Sequence, residues 1–224
     1  MQVEILYRPS YSLGVVTLAP NEQIRAEAGA MVSMSEGITL ETKAEGGLFK
    51  SLSRAILGGE SFFQNFFTAP PQGGEITFAP ELPGDVFTLT LNNERLLVQT
   101  GSYLASERGI EVNAKLSLKA FEAMEGLAIL EIFGSGQLLL SSYGAIHEKV
   151  LRDGETYIVD STHLVAFSAD MTVADRPVGG LKSTLFSGEG FIVQLRGPGR
   201  VLLQTRSPRA FLDWLVPQLP RTKE

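Results

Sequence analysis

Two histidines, no cysteine and scattered acidic residues bound the chemistry open to this 224-residue chain. Without thiols there can be no disulfide, no thiolate metal site and no cysteine nucleophile. His147 stands beside Glu148 and Lys149 and reads as a polar strand start. His163 lies between Thr162 and Leu164 in an alternating strand. A histidine-ligated metal needs closely spaced imidazoles with a carboxylate, and these two are not so placed. Gly180-Leu181-Lys182-Ser183-Thr184 has a phosphate loop's residue types, but Leu181 separates glycine from lysine and no helix pattern follows. Gly134-Ser135-Gly136 is too short for a nucleophile elbow and lacks the third glycine of a dinucleotide site, so a hairpin turn is expected there. Glu60, Glu125 and Glu189 could repel one another if they converged, yet exposed strand starts explain them more simply. No catalytic, cofactor-binding or metal-binding residue is assigned, and no cofactor is expected.

The remaining candidate is a contact surface. Phe62, Phe63, Phe66 and Phe67 form the densest aromatic cluster, with Phe49 and Leu52 upstream. In a strand, Phe62 and Phe66 would face one way and Phe63 and Phe67 the other. One pair can enter the core, leaving the other for a sheet partner, a subunit interface or a lipid surface; cover for both faces within the fold is the simpler reading. Lys43, Lys50 and Arg54 are too few to argue strongly for a membrane. Arg196, Arg200, Arg206 and Arg209 gather near the C-terminal end without the interleaved aromatics that stack bases, so solvated strand ends are expected.

The elements that would carry these residues are strands. Gly14–Leu18 and Ile24–Ala28 flank a turn with Pro20 and Asn21. Val86–Leu91 and Arg95–Gln99 are separated by Asn92-Asn93-Glu94, which predicts a hairpin. Asp153-Gly154 suits the positive φ angles of a tight turn, predicting a second hairpin between Val150–Arg152 and Thr156–Val159. Gly197-Pro198-Gly199 separates Phe191–Leu195 from Val201–Gln204 in the same way. Helical signals are few. Ser207-Pro208 offers a cap and a first-turn proline, and Ala210, Phe211, Trp214 and Leu215 recur at helical spacing until Pro217. This predicts a short C-terminal helix packed by its Phe/Trp/Leu face. Leu48–Leu57, between Gly46-Gly47 and Gly58-Gly59, is a short helix or an ordered loop.

Three segments share an acidic residue, an apolar strand, a glycine-rich turn and a second apolar strand. They begin at Glu60, Glu125 and Glu189, spaced by 65 and 64 residues (125−60 and 189−125). The expectation is one β domain over residues 1–206, made of three related units at about 15–80, 85–146 and 147–206, with a helix and tail over 207–224. Units with uncovered apolar faces must pack on one another, so the three would share a continuous core about a pseudo-threefold axis.

The bulk properties agree. With 44% hydrophobic and 20% charged residues the chain is an ordinary packed one and needs no covalent staples. A net charge of −6 opposes unspecific attraction to nucleic acid or anionic lipid. The first residues do not read as a secretory signal, and Glu131, Gly134, Gly136 and Gln137 interrupt the most apolar stretch, Gly126–Ile146, before it could span a membrane. A cytoplasmic location is the default expectation.

Gly29-Ala-Met-Val-Ser-Met34, Gly46-Gly-Leu-Phe-Lys50, Gly58-Gly-Glu-Ser-Phe-Phe63 and Val98-Gln-Thr-Gly-Ser-Tyr-Leu-Ala-Ser106 resemble the altered-inheritance-of-mitochondria type family. The resemblance continues through Leu130–Gly136, Val159–Phe167 and Gly179–Ser183, covering about Val3 to Thr205. That family is a conserved domain of unknown function. The resemblance implies a superfamily similar to the tryptophan RNA-binding attenuator protein, an all-β fold of β-sandwich or double-stranded β-helix type with internal duplication. It brings no catalytic residue with it. The reading is a non-enzymatic β module for oligomeric assembly or partner binding, expected as a homo-oligomer with a further protein partner. An RNA-binding regulator and a peripheral membrane-associated scaffold are the alternatives.

Overall fold

The structure is a computed structural model, and it describes residues 1–43, 64–115, 129–175 and 192–220. It is mostly β, in antiparallel sheets, with one short C-terminal helix among the described residues. Alternation of apolar and polar side chains generates the strands. In Leu13–Leu18 (β2), Val16 and Leu18 point inward and Thr17 faces solvent. Gln2–Leu6 (β1) pairs with β2, which pairs with Gly74–Phe78 (β7), which pairs with Met31–Met34 (β4) at the sheet's edge.

Gln23–Glu27 (β3) and Thr39–Lys43 (β5) both pair with Gln64–Thr68 (β6). In the central segment, Val86–Gln99 (β8) runs beside Ile129–Ser141 (β11), which also pairs with Tyr103–Glu107 (β9) and Ile110–Lys115 (β10). Further on, Ile146–Leu151 (β12) and Leu164–Ser168 (β14) pair with Gly199–Gln204 (β17). Thr156–Asp160 (β13) and Thr172–Asp175 (β15) flank Ile192–Arg196 (β16) as a separate three-stranded sheet. Two pairings join the segments to one another: β3 with β9, and β8 with β14.

The turns read from the sequence exist, but they are corners and not hairpins. β12 and β13 flank Asp153-Gly154, with Gly154 at φ +74°, yet they pair with β17 and β16 respectively and not with each other. Gly197-Pro198-Gly199 likewise carries the chain from β16 to β17, which lie in different sheets. The expected hairpins at Asn92-Asn93-Glu94 and Gly134-Ser135-Gly136 are also corrected. Each lies inside one long strand, β8 or β11, and the two sites face each other across a bulge where the register shifts between Gly134 and Ser135. Asn93 adopts φ +59°, and Gly134 and Gly136 adopt +134° and +138°. A ribbon of two strands therefore bends as a unit. The residue types that favour a reversal also favour a bulge, and cross-strand pairing decides between them.

Three buried clusters form the core. The first centres on Val16, Ile24, Phe67, Ile76 and Phe78 and takes in Leu104, Ala105 and Leu139 from the central segment. The second centres on Leu96, Val98, Ile110, Leu130 and Leu138 and takes in Val165, Ala166 and Leu202. The third holds Leu151, Val159, Phe167, Leu195 and Val201 with Leu97 and Ile129. Each cluster thus borrows side chains from another segment, so the described segments pack on one another.

The C-terminal helix, Pro208–Leu215 (α1), starts as expected, with the Ser207 Oγ accepting the Ala210 N–H at 3.2 Å and Pro208 in the first turn. Its packing differs from expectation. Phe211 meets Tyr143 edge-on at 6.0 Å, but none of its residues is buried and Trp214 is 63% exposed.

Candidate functional site

His163, Asp160 and Asp85, side chains that could do acid–base chemistry, are used to hold the fold. His163 sits in a single 3-10 turn, Ser161–His163, and its Nδ1–H donates to the Gln204 carbonyl at 2.7 Å. The Gln204 amide in turn donates to the Thr162 carbonyl and accepts the Tyr143 N–H, both at 3.0 Å. Asp160 accepts from the Thr162 N–H and hydroxyl at 2.9 and 2.8 Å. His147 lies exposed on β12. The two imidazoles therefore serve different places, and among the described residues no three His, Asp or Glu side chains gather as a metal site.

Two buried polar clusters escaped the sequence reading. Asp85, 2% exposed, accepts two parallel bonds from Arg8, from Nε at 2.9 Å and Nη2 at 2.8 Å. It also accepts the Ser12 hydroxyl at 2.8 Å and the Val86 N–H at 2.9 Å. The hydrogen bonds that Arg8 donates to Asp85 raise the Arg8 pKa above its ordinary value against a smaller desolvation effect. This carboxylate fixes the segment after β1 to the start of β8. Arg25, 7% exposed on β3, donates to the Gln64 Oε1 at 3.2 Å and the Ile110 carbonyl at 2.9 Å, and its guanidinium lies 5.3 Å from the Phe66 ring centre. Arg8 and Asp85 are 77 residues apart, so no local spacing announces the pair.

Of the aromatic cluster considered as a contact surface, Phe49, Leu52, Phe62 and Phe63 lie outside the described residues. Glu60, Glu125, Glu189, the Leu48–Leu57 segment and the Gly180–Thr184 loop lie outside them too. Phe66 and Phe67, 6% and 1% exposed, are interior residues, which agrees with the simpler reading of cover for both faces and removes these two from the candidate contact surface. Phe67 packs edge-on against Phe78 at 5.9 Å, and Phe66 is covered from the Arg25 side. β3 and β5 pair with the two edges of β6, Phe67 belongs to the first core cluster, and the Arg25 guanidinium lies over Phe66 on the opposite face. In the arginine group, Arg200 faces Glu148 at 3.5 Å, Arg209 faces Asp213 at 3.8 Å, and Arg206 donates to the Thr205 carbonyl at 3.3 Å.

The exposed apolar side chains lie elsewhere. Val32 and Met34 project from β4, 58% and 40% exposed, and Ile158 from β13, 52% exposed. On and after α1, Leu212, Trp214, Val216 and Leu219 are all more than half exposed. Short strands that each alternate correctly, and a helix with a plausible core face, give no sign that these side chains stay uncovered. Such groups in water are the usual mark of a contact surface when they cluster.

Comparison with known proteins places this arrangement among relatives. The family profile described as Mitochondrial biogenesis AIM24 matches residues 3–206. A protein titled uncharacterised from Streptococcus pyogenes serotype M6 is 29% identical over 220 residues, covering 94% of this chain and 88% of its own. Two fungal proteins named altered inheritance of mitochondria protein 24, mitochondrial, are also similar. The one from Verticillium alfalfae is 27% identical over 167 residues and the one from Emericella nidulans 26% over 182, covering 74% and 78% of this chain. This chain spans only 43% and 42% of their lengths. The crystal structure of a Streptococcus pyogenes protein matches with a TM-score of 0.80 and 26% identity, over 97% of this chain and 99% of that one.

Proposed function

The chain belongs to the Mitochondrial biogenesis AIM24 family, and from that premise we propose that it is a non-catalytic β module that works by assembling with itself or by docking a protein partner. The observation that carries the proposal is the exposed apolar set on β4, β13 and α1, set against a His163 and a buried Asp85 that are both committed to structural bonds. Apolar edges at a sheet border are costly in water and are ordinarily covered by pairing. No helix among the described residues is long and apolar enough to cross a membrane. The proposal keeps the cytoplasmic setting, which a chain without cysteine tolerates.

Native mass spectrometry of the purified chain tests the proposal. A defined multimer is the expected result. A bare monomer at every concentration, with no protein mass retained after gentle purification from the host, overturns it, and co-purifying RNA or lipid mass on a monomer would replace it with one of the alternative readings.

A further inference from the structure

We propose that the chain is three copies of one bent β-unit whose last inter-unit pairing is left open, and that a second copy of the chain closes it by seating its β4 edge on the β13 edge of the first. The proposal deepens the assembly reading and rests on it.

The three units share their pairings. β2 with β7, the first half of β8 with the second half of β11, and β12 with β17 are one relationship occurring three times. The same holds for β3 with β6, the second half of β8 with the first half of β11, and β13 with β16. It holds again for β4 with β7, β9 with β11, and β14 with β17, and each of these three pairings carries a register shift near its start. β4, β9 and β14 are therefore equivalent, as are β3, the second half of β8, and β13.

Between units, a strand of the second kind pairs with the next unit's strand of the first kind. Arg25 lies opposite Ser106, and Leu97 opposite Phe167. The equivalent third pairing would join β13 to β4. Among the described residues it is absent, and both strands end their sheets. The spacing carries the register across: Arg25 to Met34, Leu97 to Ser106 and Ile158 to Phe167 are each nine residues (34−25, 106−97, 167−158). Ile158 thus corresponds to Arg25 and Leu97, and Met34 to Ser106 and Phe167, so Ile158 would face Met34.

Exposure separates the closed junctions from the open one. Where pairing occurs, Arg25, Leu97, Ser106 and Phe167 are 7%, 2%, 0% and 0% exposed. At the open junction Ile158 and Met34 are 52% and 40% exposed. Val32 is 58% exposed, against 1% and 0% for its counterparts Leu104 and Val165. The same position is apolar in all three units and buried only where its junction is made. The two open edges are thus complementary to each other through a geometry the chain already uses twice. In this structure they do not meet, so the partner edge comes from another copy. Such a contact is head-to-tail: each copy still offers one β4 and one β13, giving a ring if the rotation closes and a chain of copies if it does not.

The absence of native cysteine makes disulfide trapping clean. Ile158→Cys and Met34→Cys single variants, mixed and mildly oxidised, are expected to give a linked dimer containing one of each, because opposed residues in such a pair lie within disulfide reach. Val150→Cys, exposed on β12 away from the junction, is expected to stay unlinked with either. The variant carrying both substitutions is expected to form a ladder, and its closure into a compact monomer would overturn the second-copy assignment. Met34→Lys should leave the circular dichroism spectrum intact, since the side chain is already exposed, while abolishing the multimer of the unsubstituted chain. A multimer that neither cross-links at these positions nor responds to Met34→Lys overturns the junction and leaves the assembly reading standing. A monomer without cross-link overturns both.

Discussion

The Asn93 backbone N–H donates to the Ser135 hydroxyl at 2.9 Å, across the bulge where β8 and β11 bend together. Asn93 is the unpaired residue of that bulge, lying between Asn92 opposite Ser135 and Glu94 opposite Gly134. Ser135→Ala removes the acceptor at an exposed site where water can substitute, so urea denaturation should show a loss of about 1 kcal/mol or less.

Gly134→Ala is expected to be far more damaging. Its φ of +134° suits glycine, and an added Cβ would press on the Gly109 carbonyl oxygen, which is backbone and cannot swing aside. Strain and overpacking together predict roughly 2–4 kcal/mol in the same denaturation experiment. A change no larger than that of Ser135→Ala would show that the ribbon is not bent there.

The Asp85 cluster should respond asymmetrically. Asp85→Ala strands the buried Ser12 hydroxyl and the Val86 N–H as well as Arg8, predicting a loss of roughly 3 kcal/mol. Arg8→Ala leaves the carboxylate with those two donors, and Arg8 is itself half in solvent, so about 1 kcal/mol is expected. Equal losses from the two variants would contradict this division of roles.

Phe67→Ala opens a cavity among Phe78, Ile24 and Val16 and should cost about 3–5 kcal/mol. Trp214→Ser, at a side chain 63% exposed, should change the stability of the isolated chain by less than about 0.5 kcal/mol. Thermal unfolding at low protein concentration distinguishes the two. A large loss from Trp214→Ser would mean that the ring is covered within the chain.

Glu155 supplies a pH dependence. The Arg152 N–H, bonded at 2.9 Å, and then Lys149, at 3.3 Å, hold its carboxyl below the usual glutamate range. Because the folded pKa lies below the unfolded one, the stabilising contribution is present above the ordinary glutamate pKa and is lost as pH falls through the folded value. An NMR titration of the Glu155 carboxyl should show this low midpoint. Lys149→Met should raise it only part of the way, since the Arg152 amide remains.

Much of this protein is legible in the residues alone. The alternation in β3 and the β-branched runs in β2 and β13 favour strands, because a period of two matches the pleat and branched side chains fit it. Ser207-Pro208 specifies where α1 begins, since its cap and first-turn proline act locally. The absence of cysteine excludes thiol chemistry whatever the fold. Tertiary structure decided what those local signals join. Asn92–Glu94 and Gly134–Gly136 carry turn chemistry, but whether positive φ angles reverse a chain or bend it depends on the strand alongside. Asp85 and Arg8 meet across 77 residues, and no local period encodes such a contact. Phe67 and Ile158 are both apolar strand residues, yet one is 1% exposed and the other 52%. Which of them is buried follows from whether a neighbouring strand arrives to cover it, and that is a property of the assembled sheets.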